Sequence, residues 1–119
     1  MATSNIINHL SGLRGFVAAT LIDTYHRQVI ESISHANESI DGMALDNAQV
    51  ILNRLDHIRT KRKRPVDSGL FFRLSEQYHI VRQSRHCPDI FIYLVIDFSC
   101  GDLDQARIAV KNLDARIRV

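Results

Sequence analysis

The chain has 119 residues, which is enough for one domain, 1–119, to bury a hydrophobic core without disulfides or a metal. Its 45% apolar and 24% charged residues exclude a disordered chain, and no apolar run reaches the ~18 residues of a membrane span. The formal net charge of +2 indicates neither a nucleic acid nor a membrane as a partner.

The first third of the chain predicts a helix followed by a β-hairpin. Four apolar residues that share one helical face predict a helix over 4–13: Ile6, Ile7, Leu10 and Leu13. The apolar run 15–23 is typical of a strand that is covered on both faces. Residues 23–26 read as a turn, and 27–34 as a half-polar return strand near the edge of a sheet.

Residues 40–63 predict a long amphipathic helix that ends before Pro65. One face carries apolar residues spaced by three or four: Ala44, Ala48, Ile51, Leu55 and Ile58. Three further apolar residues widen this face beyond what one sheet needs: Leu45, Val50 and Leu52. The excess apolar surface predicts a second packing partner for the helix.

The remaining third predicts three strands and a final helix. Strands are expected at 68–75, 78–84 and 90–97, with a tight turn at Glu76 and Gln77 between the first two. Asp102 can cap the last helix, with Gln105 three residues on. One face of that helix is apolar: Leu103, Ala106, Val110, Leu113 and Ile117.

Two of the predicted strands, 16–22 and 90–96, are apolar throughout. Strands with this pattern lie in the centre of a sheet whose two faces are both covered by helices. The sequence therefore predicts a three-layer α/β (α+β) domain. Its mostly antiparallel five-stranded sheet has the expected order 2-1-5-4-3, with the two apolar strands as neighbours and helices on both faces.

No catalytic, metal or cofactor motif is present in the sequence. The phosphate-binding, dinucleotide-binding, zinc-protease and serine-hydrolase signatures are all missing. Six histidines fall in six separate elements, which predicts surface histidines and no metal site: His9, His26, His35, His57, His79 and His86. The neighbouring pair His86 and Cys87 is unsuited to catalysis because adjacent side chains point apart. We therefore expect a protein without enzymatic activity.

The two cysteines and the first residues of the chain favour a cytoplasmic location. Cys87 and Cys100 have neither metal-ligand nor redox spacing, which is typical of free thiols in a reducing compartment. The first ten residues, MATSNIINHL, lack the basic start and apolar segment of a secretory signal.

A basic run follows the long helix and offers an alternative function. It consists of Lys61, Arg62, Lys63 and Arg64. Such a run could bind the phosphates of a nucleic acid or of acidic lipids. Cations at the C-terminus of a helix also contribute about 0.3–1 kcal/mol to its stability, and no aromatic residue interrupts the run. We favour this structural interpretation and keep an anion-binding module as the alternative.

The strand at 68–75 carries Phe71 and Phe72 side by side, so that one ring points to each face of the sheet. At an edge strand, an outward apolar residue favours association with another chain. Together with the apolar helix 40–63, this strand predicts a dimer.

Three passages of the C-terminal half carry a family resemblance. They are YHIVR (78–82), the run FIYLVID (91–97) that ends in Asp, and the helix start DLDQAR (102–107) with its Leu, Ala and Arg. They resemble the Roadblock / dynein light chain family in its short prokaryotic form, and the order of predicted elements extends the resemblance to the whole chain. The first hairpin departs from the family, because DTYHRQ retains Asp23 but contains no glycine. Its turn geometry is therefore expected to differ.

The resemblance implies a Roadblock-like (profilin-like) sandwich that forms a homodimer. Edge strands 69–75 would join two sheets, and helices 40–61 would pair across the twofold axis. The residues implied in this interface are Leu45, Ile51, Leu52, Leu55, Leu70, Phe71, Phe72 and Arg73.

The resemblance also implies a function without chemistry of its own. Bacterial relatives of this kind act on small Ras-like GTPases, and eukaryotic ones serve as light chains or scaffold subunits. It implies no catalytic residue, metal or cofactor. An arginine finger from Arg73 or Arg82 is chemically possible, but the sequence singles out neither.

Overall fold

The computed structural model describes residues 6–34, 42–50, 53 and 69–117, with the side chains of 69, 70 and 74 excepted. These residues form a 3-10 helix, two α-helices and five strands. In chain order they are the 3-10 helix Ile6–Gly12, β1 Phe16–Asp23, β2 Gln28–Ser34, α1 over 42–50, β3 Gly69–Leu74, β4 Gln77–Gln83, β5 Ile90–Asp97 and α2 Leu103–Asp114.

The five strands form one antiparallel sheet in the order β2-β1-β5-β4-β3. This confirms the predicted order 2-1-5-4-3. The two apolar strands β1 and β5 are central neighbours, with Leu21 opposite Ile92 and Ala19 opposite Leu94. Every residue from Phe91 to Ile96 is fully buried, because helices cover both faces of the sheet. Strands β2 and β3 form its two edges.

The sheet separates two hydrophobic clusters, which gives the predicted three layers. On one face, the 3-10 helix and α2 pack on side chains that include Leu21, Leu94 and Ile96. On the other face, Ala44 and Ala48 of α1 pack on side chains of β4, β5 and β1. Because these two alanines lie one turn apart and have no bulk beyond Cβ, α1 can lie close to the sheet.

The predicted start signal holds for α2, whereas the N-terminal helix is of a different type. The carboxylate of Asp102 accepts the backbone N–H of Gln105 at 3.1 Å, so it caps α2 as predicted. The N-terminal segment is a 3-10 helix of 7 residues. Its Ser11 hydroxyl donates to the carbonyl of Asn8 at 2.7 Å, and such side-chain bonds compete with the α-helical pattern.

The first hairpin has a four-residue turn, 24–27, that works without glycine. The Asp23 carboxylate accepts the N–H groups of Tyr25 and His26, at 3.0 and 3.2 Å. Its second oxygen lies 2.7 Å from Nδ1 of His26, and this side-chain bond lowers the pKa of Asp23. Arg27 takes the left-handed conformation, with φ of 52°, that glycine usually supplies. The carboxylate thus stabilises a turn that the missing glycine left uncertain.

The second hairpin turns one residue earlier than predicted. Its two turn residues are Ser75 and Glu76, and Gln77 already pairs with Leu74. Ser75 has a φ of 57°, which a two-residue hairpin turn requires. Neither a glycine nor an asparagine marks this position in the sequence.

Two glycines hold the start of β1 against the loop after β5. A Cβ atom on Gly101 would lie 2.5 Å from the carbonyl oxygen of Asp97, and one on Gly15 would lie 2.7 Å from Cα of Gly101. Gly15 also has a positive φ of 79°. A side chain on Gly15 would force the start of β1 away from this loop, and one on Gly101 would collide with the end of β5.

Candidate functional site

The edge strand β3 and the helix α1 contain the described members of the predicted interface. β3 pairs with β4 over its whole length, from Gly69 opposite Arg82 to Leu74 opposite Gln77. Within the part of the chain that the structure describes, no strand pairs with the other side of β3. An edge of this kind presents backbone N–H and C=O groups to another chain.

Phe71 and Phe72 point to opposite faces of the sheet, as predicted. Phe71 is 43% exposed on the α2 face, where the guanidinium of Arg107 lies 4.9 Å from its ring centroid. Phe72 is half-buried on the α1 face and stacks on His79 with ring centroids 5.2 Å apart. The edge strand therefore combines one ring that is packed on the sheet with one ring that is partly exposed to solvent.

Helix α1 turns its small residues inward and leaves larger apolar residues outside. Leu45 is half-buried and packs against the cluster that contains Ala44 and Ala48. Met43 and Val50 are exposed, Val50 to 65%. The described turns thus carry apolar surface that the sheet does not cover, which supports the expectation of a second packing partner.

A buried polar network connects α1 to the sheet beside β3. The amide of Asn47 in α1 donates to the hydroxyl oxygen of Tyr93 in β5 at 2.8 Å. That oxygen lies 2.6 Å from Nδ1 of His79 in β4. Because the Tyr93 oxygen already accepts the Asn47 hydrogen, its own hydrogen can point at Nδ1, which leaves the imidazole proton on Nε2. The hydrogen bonds connect α1, β5 and β4, and the stacking of Phe72 on His79 connects β3 to them.

Burial shifts the titration of both ring residues in this network. It lowers the pKa of His79 below its ordinary value of 6.5 and raises the pKa of Tyr93 above 10.0, against an opposing effect of the Asn47 hydrogen bond. Both groups are therefore neutral at pH 7. The prediction that all the histidines lie on the surface is wrong for His79, which is 1% exposed.

The burial of His79 follows from its neighbours in adjacent strands and not from the pattern of its own strand. His79 shares a face of β4 with Val81, and its partners in the neighbouring strands are Phe72 and Val95. These neighbours are apolar or aromatic and face α1. The register of the sheet brings these neighbours together, and this register cannot be read from the local sequence YHIVR.

The two arginines considered as possible fingers have different environments. Arg73 is exposed, its guanidinium lies 3.6 Å from the ring centroid of Phe98, and its Nε donates to the carbonyl of Ser75 at 3.1 Å. Arg82 donates from Nε to the buried carboxylate of Asp114 at 2.8 Å. Arg82 therefore ties β4 to the end of α2, and Arg73 is the one that another protein can reach.

Several predicted site residues lie outside the described residues. They are Ile51, Leu52 and Leu55 of the long helix, the side chain of Leu70, and the basic run Lys61, Arg62, Lys63 and Arg64. His35 and His57 lie outside as well. The interface and the anion-binding alternative therefore stay predictions at these positions.

The described residues contain little that suggests a metal or small-molecule site. No group of three or more His, Cys, Asp or Glu side chains among them could hold a metal ion, and Cys87 and Cys100 are free thiols. An open groove between the 3-10 helix and α2, lined by residues that include Leu10 and Leu113, has a volume of about 180 Å³. Ligand pockets are usually larger, about 300–1,000 Å³. No helix in the described segments is both long and apolar enough to cross a membrane.

Comparison with known proteins identifies the fold. Neither a protein-family model nor a curated protein matches the chain by sequence. Among solved structures, a Roadblock/LC7 domain from Streptomyces avermitilis is 15% identical, with a TM-score of 0.72 over 93% of this chain and 89% of that one. MglB of Myxococcus xanthus is 9% identical, with a TM-score of 0.70 over 92% and 83%.

A structure described as MglB with a tetrameric arrangement is 12% identical, with a TM-score of 0.68 over 93% of this chain and 81% of that one. Identities this low establish a shared fold and nothing finer. The chain has the Roadblock/LC7 fold, which confirms at the level of architecture the resemblance found in the sequence.

Proposed function

We propose that the chain is a non-enzymatic homodimer in the cytoplasm that binds a small Ras-like GTPase and modulates its nucleotide cycle, as a regulator or a scaffold. The fold, shared with a Roadblock/LC7 domain and MglB, supports a protein of this class. The class of partner comes from the sequence resemblance. The main support for the dimer is the exposed side chain of Phe71 on β3, which is an edge strand of the sheet that the described residues form.

In the proposed dimer, the β3 strands of two protomers pair and join their sheets into one. Pairing would satisfy the backbone groups along the edge and bring the Phe71 ring of each protomer toward the other. On the opposite face, the helices α1 would meet and cover apolar residues such as Val50, which is exposed in the single chain. Self-association of this fold has a precedent in the MglB structure described as tetrameric.

The proposed action on a GTPase needs only surface contacts. Arg73 is exposed at the same edge as Phe71 and could contact a bound protein, whereas Arg82 is held by Asp114. A regulator of this type would act by repositioning the residues of the GTPase itself. That is why the lack of a catalytic motif in the sequence is compatible with an effect on GTP hydrolysis.

The first test measures the mass of the native chain and of two matched variants by light scattering. Phe71→Asp places a charge on edge β3, and Ile30→Asp places one on edge β2; both wild-type side chains are 43% exposed. We expect a native mass near twice 13.6 kDa. Phe71→Asp should raise the dissociation constant at least ~100-fold, because two like charges would face each other across the twofold axis.

The Ile30→Asp variant should remain a dimer, since β2 lies at the far edge of the sheet. A native chain that is monomeric, or a Phe71→Asp variant that is as dimeric as the native chain, would overturn the proposed interface. The partner is then tested by titrating purified small Ras-like GTPases, loaded with GDP or with a non-hydrolysable GTP analogue. Failure to bind any of them in either state would refute the proposed GTPase function.

A further inference from the structure

His79 lies where all the elements of the candidate interface meet. It belongs to β4, stacks on Phe72 of β3 and contacts the ring of Tyr93 of β5 edge-on, with centroids 5.5 Å apart. Through the Tyr93 hydroxyl it is connected to Asn47 of α1. The side chain is 1% exposed. The ring therefore contacts the edge strand directly and the helix of the proposed dimer surface through Tyr93.

The hydrogen bonds of the network suit a neutral imidazole and oppose a charged one. With the neutral imidazole carrying its proton on Nε2, as assigned above, Nδ1 of His79 accepts the Tyr93 hydroxyl, and a second proton on the ring would have to occupy this nitrogen. The Tyr93 oxygen would then face two N–H donors, from His79 and Asn47, and its own hydrogen would lose its acceptor. A buried cation would also lack water.

Among the described residues, none offers the ring a charge that would compensate. The described polar and aromatic groups beside it are the phenol of Tyr93 from β5, the amide of Asn47 from α1, which reaches it through that phenol, and the ring of Phe72 from β3. Asp46 of α1 is exposed and forms an ion pair with Arg27 at 3.3 Å. Among residues 6–34, 42–50, 53 and 69–117, no carboxylate forms an ion pair or a hydrogen bond with His79.

We propose that protonation of His79 disables the dimerisation surface, so that the homodimer dissociates as the pH falls. This inference rests on the proposed function and adds a regulation to it. The protonated ring leaves its pocket for water, which removes the stacking partner of Phe72 and breaks the bond between Tyr93 and Asn47. Strand β3 and helix α1 then lose their fixed positions, and the protomer is no longer competent to pair.

The size of the effect follows from the need for two competent protomers. The apparent dissociation constant rises with the inverse square of the competent fraction. It therefore increases about fourfold at the pH at which half of the protomers are protonated, and about 100-fold one pH unit lower. Because burial opposes protonation, this midpoint lies below the ordinary histidine value of about 6.5.

The test is sedimentation equilibrium of the native chain from pH 7.5 to pH 5, with two histidine variants. His79→Asn keeps an oxygen near the position of Nδ1 that can accept the Tyr93 hydroxyl, but this side chain does not titrate. His86→Asn removes an exposed histidine of the loop before β5 and is the matched control. Circular dichroism at each pH verifies that the chains stay folded.

We expect the native chain and His86→Asn to dissociate in parallel as the pH falls, and His79→Asn to keep one dissociation constant throughout. A native dimer with the same constant at every pH would overturn this inference and leave the proposed dimer intact. A native chain that is monomeric already at pH 7.5 would overturn both.

If His79→Asn does not fold, the test uses the native chain, and the titration of its imidazole rings is followed by NMR. The ring of His79 must then titrate over the same pH range as the change in mass. A His79 ring that titrates while the dimer persists, or a dimer that dissociates while the ring stays neutral, would refute the coupling.

Discussion

The sheet ends in two edge strands, and they differ in how they discourage pairing with another chain. The register between β1 and β2 shifts between Leu21 and Ile22, which leaves Ile30 of β2 as an extra residue in a bulge. Glu31 of the same strand turns its carboxylate inward to the N–H groups of Ile6 and Ile7, at 3.4 and 3.3 Å. A bulge and an inward charge are both devices that protect an edge.

Edge β3 shows neither device. Its pairing with β4 runs without a shift from Gly69 to Leu74, and its Phe71 side chain is partly exposed to solvent. The difference favours association through β3, because β2 is bulged and carries an inward carboxylate, whereas β3 is regular and exposes part of the Phe71 ring. The proposed dimer uses the unprotected edge.

Each side of the sheet is also connected to a helix by the hydrogen bonds of a charged side chain. On the β3 side, Arg82 of β4 binds Asp114, whose carboxylate also accepts the N–H of Arg85 at 3.3 Å. On the β2 side, Glu31 holds the first N–H groups of the 3-10 helix. Removing either anchor should loosen one edge and leave the other, so the two can be compared directly.

The largest effect is expected from Arg82→Met. The Asp114 carboxylate is almost fully buried, and without its partner it would remain as an unpaired charge. We expect the free energy of unfolding to fall by about 3–5 kcal/mol, measured by urea denaturation at pH 7 and fixed protein concentration. The control is Arg73→Met, which removes an exposed guanidinium over Phe98 and should cost about 0.5–1 kcal/mol. If the free energy of unfolding falls equally in the two variants, the buried Arg82–Asp114 pair contributes no more than an exposed arginine.

A smaller effect is expected from Glu31→Gln at the other edge. The neutral amide oxygen is a weaker acceptor for the helix N–H groups, so the loss should be about 1 kcal/mol in the same assay. Glu76→Gln, in the exposed turn after β3, is the matched control and should leave stability unchanged. If Glu31→Gln proves as neutral as the control, edge β2 is not anchored by this carboxylate.

Because of His79, the free energy of unfolding should decrease as the pH falls. Burial lowers the folded-state pKa of this histidine, so the unfolded chain binds its proton first as the pH falls. The free energy of unfolding should therefore be constant above about pH 7.5 and decrease as the pH falls below about 6.5. Urea denaturation of the native chain and His79→Asn between pH 8 and 5 measures this. A native chain that becomes more stable with acid would contradict the assignment.

The smallest effect is expected from replacing Lys61, Arg62, Lys63 and Arg64 together by serine. If the basic run is a solvated helix end, the mass of the dimer stays the same. Binding to acidic vesicles or to duplex DNA at about 0.15 M salt should be weak before and after the change. Strong, salt-sensitive binding that disappears in the variant would establish the anion-binding alternative instead.

The sequence predicted the centre of this fold better than its periphery. The central position of β1 and β5 could be predicted because a strand covered on both faces must be apolar along its whole length. Asp102 could be recognised as a cap because its partner, Gln105, is three residues away. These are local or nearly local signals.

The contacts that determine the structure of the candidate site join residues that are far apart in the chain. Glu31 meets Ile6 and Ile7 across 25 and 24 positions, and Arg82 meets Asp114 across 32. His79 is buried only because the register places Phe72 and Tyr93 around it. No periodicity within one element contains this information, which is why the sequence alone placed His79 on the surface and could not choose between Arg73 and Arg82.

The most direct test of the unprotected edge is amide hydrogen exchange of β2 and β3 as a function of protein concentration. We expect the amides of β3 that do not pair with β4 to exchange quickly in dilute protein and to become protected as the dimer forms. The amides on the outer side of β2 should exchange at the same rate at every concentration. Protection that grows on β2, or β3 amides that stay unprotected in a chain shown to be dimeric, would contradict the account.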